Sequence, residues 1–156
     1  MDEDLRLIRA VAEYQFGPGA GLALFPDKVK IIHSRNTRRI RHIYLGNALL
    51  ATFRPNNGVF TLTIAAAKRL VEEVPDISYK VKVNAEAAEF VSQGKNVFAK
   101  YVLEAGVKIR PGDEVVIVAE GGEVIGVGKA LLISEEMSAF KRGIAVKTRR
   151  GSETDA

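Results

Sequence analysis

Two histidines, His33 and His42, are the side chains in this sequence best suited to acid–base or metal chemistry. With a tight turn between them, the two rings could face one another across a pair of strands. A metal site would need a third ligand and neutral imidazoles. Arg35, Arg38, Arg39 and Arg41 crowd these positions instead, and such a field repels a cation. The better reading is a pair of surface histidines on a basic ribbon. There is no cysteine, which removes thiolate zinc sites, disulfides and cysteine nucleophiles together. A serine triad needs a base and an orienting acid, and no signature points to one. Gly128-Lys129 is followed by Ala130, and Glu123 stands where a phosphate loop needs its first glycine. Gly17, Gly19 and Gly21 suggest a dinucleotide loop, but position 22 is Leu and a helix precedes them. They end that helix. The reading is therefore of a protein with no catalytic residues, metal or cofactor.

What remains is charge, and its distribution matters more than its net value of +4. No acid occurs between Asp27 and Glu72, where Lys28, Lys30, Arg35, Arg38, Arg39, Arg41, Arg54, Lys68 and Arg69 lie. A second acid-free stretch after Glu136 holds Lys141, Arg142, Lys147, Arg149 and Arg150. Segregation of this kind concentrates positive potential where phosphates could dock, although basic residues also simply solvate strands. No apolar run approaches the roughly 20 residues of a membrane span. The acidic start, MDEDLRLIRA, does not look like a signal peptide, so a soluble cytoplasmic protein is expected.

The elements that must carry these residues fall into two sets. In the first half, Leu5, Ile8 and Ala12 share one face of a helix over residues 2–15, with acids in its first turn. Residues 16–21 read as a loop. Strands are expected over 28–33, 38–45, 48–54 and 59–63. Pro55-Asn56-Asn57-Gly58 supplies a hairpin turn with positive φ, and a helix over 64–73 stops at Pro75. This is an α+β module over residues 1–78.

The second half changes character. A strand over 80–83 leads to a short helix that Asn84 can cap and Gly94 can end. Strands follow over 97–103, 114–119, 123–133 and 144–149, with turns at Pro111-Gly112 and Gly121-Gly122 and a helix over 135–140. Short strands with closely spaced turns predict a small, partly closed, mainly-β barrel over residues 79–151. Residues 152–156 read as a frayed tail.

These residues carry a resemblance. Gly94-Lys95-Asn96-Val97-Phe98-Ala99-Lys100-Tyr101-Val102, Ile109-Arg110-Pro111-Gly112-Asp113-Glu114-Val115, Gly126-Val127-Gly128-Lys129-Ala130 and Gly143-Ile144-Ala145-Val146-Lys147 resemble the PUA domain, an RNA-binding pseudobarrel. The order from Tyr14-Gln15-Phe16-Gly17 through residues 34–41 and Leu62-Thr63-Ile64 is similar to the C-terminal, pre-PUA plus PUA part of archaeosine tRNA-guanine transglycosylases and related archaeosine synthases. Those enzymes place a (β/α)8 barrel of about 250 residues ahead of these modules, and 156 residues cannot hold it.

The resemblance implies a binder of RNA, and of tRNA in particular, acting in base modification without its own active site. The alternative is a non-catalytic subunit that docks a separate catalytic polypeptide. By analogy the RNA-binding groove holds Gly94, Lys95, Asn96 and Lys100, with Arg142, Lys147, Arg149 and Arg150 from the last strand. Gly94 in a left-handed conformation is expected to leave amides near Lys95 and Asn96 free for RNA, and Phe98 is read as core rather than as a stacking platform. Lys28, Lys30, Arg35, Arg38, Arg39 and Arg41 form a secondary surface for RNA or for a protein partner.

Overall fold

A computed structural model of the chain describes residues 2–154, which divide into two compact units, Met1–Asp76 and Ile77–Ala156. The first unit is a helix, an antiparallel sheet and a returning helix. α1 (Glu3–Phe16) is capped by Asp2, whose carboxylate accepts from the Asp4 amide, and it buries Leu5, Ile8, Ala12 and Phe16 along one stripe. Strands β1 (Lys30–His33), β2 (Ile40–Leu45), β3 (Ala48–Phe53) and β4 (Phe60–Leu62) pair in sequence order. α3 (Ile64–Glu73) follows, capped by Thr63. Phe60 anchors this core, 5.1 Å from the ring of Phe25 and 5.0 Å edge-on from Phe53. Gln15 ties helix to sheet: its side-chain amide bonds both the N–H and the C=O of Phe60, each at 2.8 Å.

One element here was expected to be loop. Residues Ala20–Leu24 form a short helix, α2. The Glu13 carboxylate, one turn from the end of α1, accepts from the amides of Gly19 and Gly21. Those orphan donors thus find their acceptor on a different element.

The second unit is a six-stranded mixed sheet that curls on itself. Its order is β6–β10–β9–β8–β5–β7, from β5 (Lys80–Val83), β6 (Val97–Phe98), β7 (Val102–Ala105), β8 (Glu114–Val118), β9 (Val124–Ala130) and β10 (Ile144–Gly151). β5 and β8 run parallel; the other pairs are antiparallel. The two edge strands, β6 and β7, are consecutive in the chain, joined by one 3-10 turn, Ala99–Tyr101. That connection draws the edges together and makes the sheet a pseudobarrel. Its interior holds Val81, Val83, Val91, Val97, Ile109, Val115, Ile117, Met137 and Val146. α4 (Ala85–Ser92) and α5 (Ser134–Ala139) complete the unit.

The continuous strand expected over 97–103 is therefore two strands and a turn. The turn is held by a tertiary bond, from the Ala99 amide to the Gly143 carbonyl at 2.9 Å. The frayed tail is also corrected in part. Ser152 donates to Ile125, Glu153 to Ser92 and Thr154 to Gly151, so residues 152–154 are tied to the barrel; residues 155–156 lie outside those described.

Asn84 caps α4 as its sequence suggests, its side-chain oxygen accepting from the Ala87 amide at 3.0 Å. Asn84→Ala is expected to lower stability by about 1 kcal/mol, measurable by denaturant titration.

Candidate nucleic-acid interface

α4 ends in a motif that two carbonyls and one glycine dictate. Gly94 adopts φ +94°, its amide donates to Val91 at 2.8 Å, and the Lys95 amide donates to Phe90 at 3.1 Å. This is a Schellman cap. It corrects the expectation of a free Lys95 amide, because that donor closes the helix. What the cap leaves outward is the side chain of Lys95, which is exposed. Asn96 also looks inward in part: its side-chain carbonyl accepts from the Thr148 amide at 3.0 Å and clamps the loop to β10.

From this clamp a seam runs along β6 and β10. Val97 pairs with Val146 and Phe98 with Ile144, and the Ala99–Gly143 bond closes the far end. Lys95 lies at one end of the seam. Lys100, in the 3-10 turn, and Arg142, next to Gly143, lie at the other. Lys147 is exposed on β10. Among the described residues, Lys95, Lys100, Arg142 and Lys147 form no ion pair with an acid.

Phe98 was read as core, and that reading is wrong. Its ring is 47% exposed, set edge-on to Tyr101 at 6.4 Å, and Lys100 Nζ lies 5.0 Å from the Tyr101 ring centre. Val97 and Ala99 are buried while Phe98 and Lys100 are exposed, so strand alternation held the clue. An exposed aromatic beside two cations offers a stacking face with a charged rim.

The remaining residues of β10 divide. Arg149 occupies an irregularity between Thr148 and Arg150 in the pairing with β9. From there its guanidinium forks onto the buried Glu114 carboxylate, with Nη1 to Oε1 at 2.7 Å and Nη2 to Oε2. Arg149 is thus engaged inside the barrel. Arg150 is exposed, opposite Val127 of β9.

In the first unit, Lys28, Lys30, Arg35, Arg38, Arg39 and Arg41 are all exposed on the β1–β2 hairpin and its approach. The two histidines do not face one another. Ile32 is opposite His42, and His33 is opposite Ile40. His33 Nε2 meets the Asp4 carboxylate at 3.0 Å, and His42 packs against Tyr44. Among the described residues no three His, Cys, Asp or Glu side chains converge as metal ligands, and no helix is long and apolar enough to cross a membrane.

Comparison with known proteins fits this division. Residues 6–76 match the family described as the patch-forming domain C2 of tRNA-guanine transglycosylase, and residues 79–152 match the PUA domain. The chain is 46% identical over 149 residues to the tRNA-guanine(15) transglycosylase of Methanothermobacter thermautotrophicus, covering 96% of this chain and 23% of that protein. It is 48% identical over 146 residues to that of Pyrococcus furiosus, covering 94% and 24%. It spans about a quarter of the length of these relatives, in their C-terminal part. Two solved structures share the fold. One is a protein of Pyrococcus horikoshii, with TM-score 0.77, 22% identity and 99% and 96% of the two chains covered. The other is a PUA domain protein of Thermoplasma acidophilum, with TM-score 0.68, 18% identity and 96% and 88% covered. The chain belongs to the PUA-domain proteins, its PUA barrel preceded by a C2 module as in the C-terminal part of the archaeal tRNA-guanine(15) transglycosylases.

Proposed function

We propose that this protein binds tRNA through the β6–β10 seam of its PUA domain and positions it for base modification carried out by a separate catalytic polypeptide. The observation that carries this reading is the seam itself: Lys95, Lys100, Arg142 and Lys147, none paired with an acid among the described residues, flank the exposed ring of Phe98. Cations left unpaired hold phosphates, and an exposed ring takes an unstacked base, which together suit a single-stranded or terminal RNA segment. The likeness to transglycosylases, named for tRNA and matched only in their C-terminal part, supports the choice of RNA and the division of labour.

Binding of a tRNA transcript to the 156-residue chain across a salt series tests the seam. Lys95→Ala and Arg142→Ala should each reduce the logarithmic salt slope by about one. Phe98→Ala should weaken binding roughly tenfold, within the usual value of a stacked base, and leave the slope unchanged. Wild-type affinity and slope in all three variants would remove the seam from the account. Crosslinking in native extract, with identification of bound RNA and bound protein, tests the catalytic partner: recovery of RNA alone would leave that clause without support.

A further inference from the structure

The two loops of the first unit's hairpins have the same backbone. In residues 34–39 the first amide donates to the last carbonyl, Ser34 to Arg39 at 2.7 Å, and the fifth amide donates to the first carbonyl, Arg38 to Ser34 at 2.8 Å. In residues 54–59 the same bonds join Arg54 to Val59 at 2.8 Å and Gly58 to Arg54 at 2.9 Å. Even the fourth side chain repeats, Thr37 Oγ1 accepting from Arg39 and Asn57 Oδ1 from Val59, both at 3.3 Å. The fifth residue must take a positive φ, and does so at +69° in Gly58 and +61° in Arg38.

Gly58 meets that demand without a Cβ penalty. Arg38 does not, and it is the one non-glycine residue at positive φ among those described. Its side chain is exposed and forms no ion pair with a described acid, so no contact within the fold offsets the strain. Strain held at an exposed, uncompensated position points to function. Arg35, Arg39 and Arg41 surround it, likewise exposed and without ion pairs to described acids. The acids that pair in this unit are used elsewhere, Asp27 by Arg9 and Asp4 by His33.

We infer that the β1–β2 hairpin tip is a second RNA-binding element, with Arg35, Arg38, Arg39 and Arg41 holding backbone phosphates of a double-helical arm. Guanidinium forks match phosphate oxygens. RNA duplexes hide their base edges in a deep, narrow groove, so a cluster of arginines reads shape and backbone there. The inference rests on RNA being the ligand, and it adds a site that the seam does not contain.

Arg38→Gly separates binding from folding, because glycine suits the turn while the charge is lost. The full chain is titrated with a tRNA transcript across a salt series, beside Arg38→Lys and the triple variant Arg35→Ala/Arg39→Ala/Arg41→Ala. Arg38→Gly should melt no lower than wild type, lose about one from the salt slope and bind several-fold more weakly. Arg38→Lys should keep the slope, and the triple variant should lose about three from it. Hairpin variants that bind like wild type, while Lys95→Ala still loses slope, overturn this inference alone and leave the hairpin as a protein-docking edge. A wild-type chain with no tRNA binding defeats the proposed function and this inference with it.

Discussion

Arg149→Ala is expected to destabilise the PUA domain by about 3 kcal/mol while leaving the salt dependence of RNA binding intact. The partner it abandons is Glu114, whose side chain is only 5% exposed at the start of β8. A carboxylate in that position cannot recover its hydration when the guanidinium is removed. Breaking a buried pair from one side typically costs roughly 3–5 kcal/mol. The lower figure applies because the Arg149 side chain is 32% exposed, so water already screens part of the interaction. In a domain of this size the melting temperature should fall by more than about 10 °C. Adding Glu114→Gln to Arg149→Ala should restore a large part of the loss, since the uncompensated charge is then gone. Denaturant titration of both variants and of wild type reads this out. Wild-type stability in Arg149→Ala, together with a salt slope lowered by one, would mean that this arginine serves phosphate and the barrel does not depend on it.

The same residue shows where sequence reasoning stops. Charge segregation grouped Arg149 with Lys147 and Arg142 as equals, because composition cannot register that Glu114, far away in the chain, shares its strand layer. Asn96 is a similar case: its neighbours suggest an RNA ligand, and its carbonyl is committed to Thr148. Local signals were read correctly where the physics is local. Asn84 caps α4, Gly58 turns the β3–β4 hairpin at positive φ, and Thr63 opens α3. Elements held by distant partners were missed. α2 depends on the Glu13 carboxylate of the preceding helix, and the 3-10 turn after Phe98 depends on the Gly143 carbonyl. That turn also explains Phe98, since a continuous strand would have let its ring count among the core residues.

Gly151→Ala is the substitution that should harm fold and binding together. A Cβ at this position would lie 2.3 Å from the Ser92 carbonyl oxygen, 2.5 Å from the Gly94 amide nitrogen and 2.6 Å from the Ser92 carbonyl carbon. All three are backbone atoms, so no side chain can swing aside. On the other flank Gly151 pairs with Gly126 of β9, which limits retreat in that direction. Either the end of β10 leaves the sheet or the C-terminal cap of α4 moves, and that cap carries Gly94, Lys95 and Asn96. Overpacking of this kind costs about 3 kcal/mol, a fall in melting temperature of more than about 10 °C. Below that temperature tRNA affinity should drop further than in Lys95→Ala, because the whole loop is displaced and one cation is not simply removed. Thermal melting followed by tRNA titration of the folded variant measures both. An alanine variant that melts with wild type would show that the cap slides freely past β10, and the seam would then lose its fixed geometry as the basis for holding RNA.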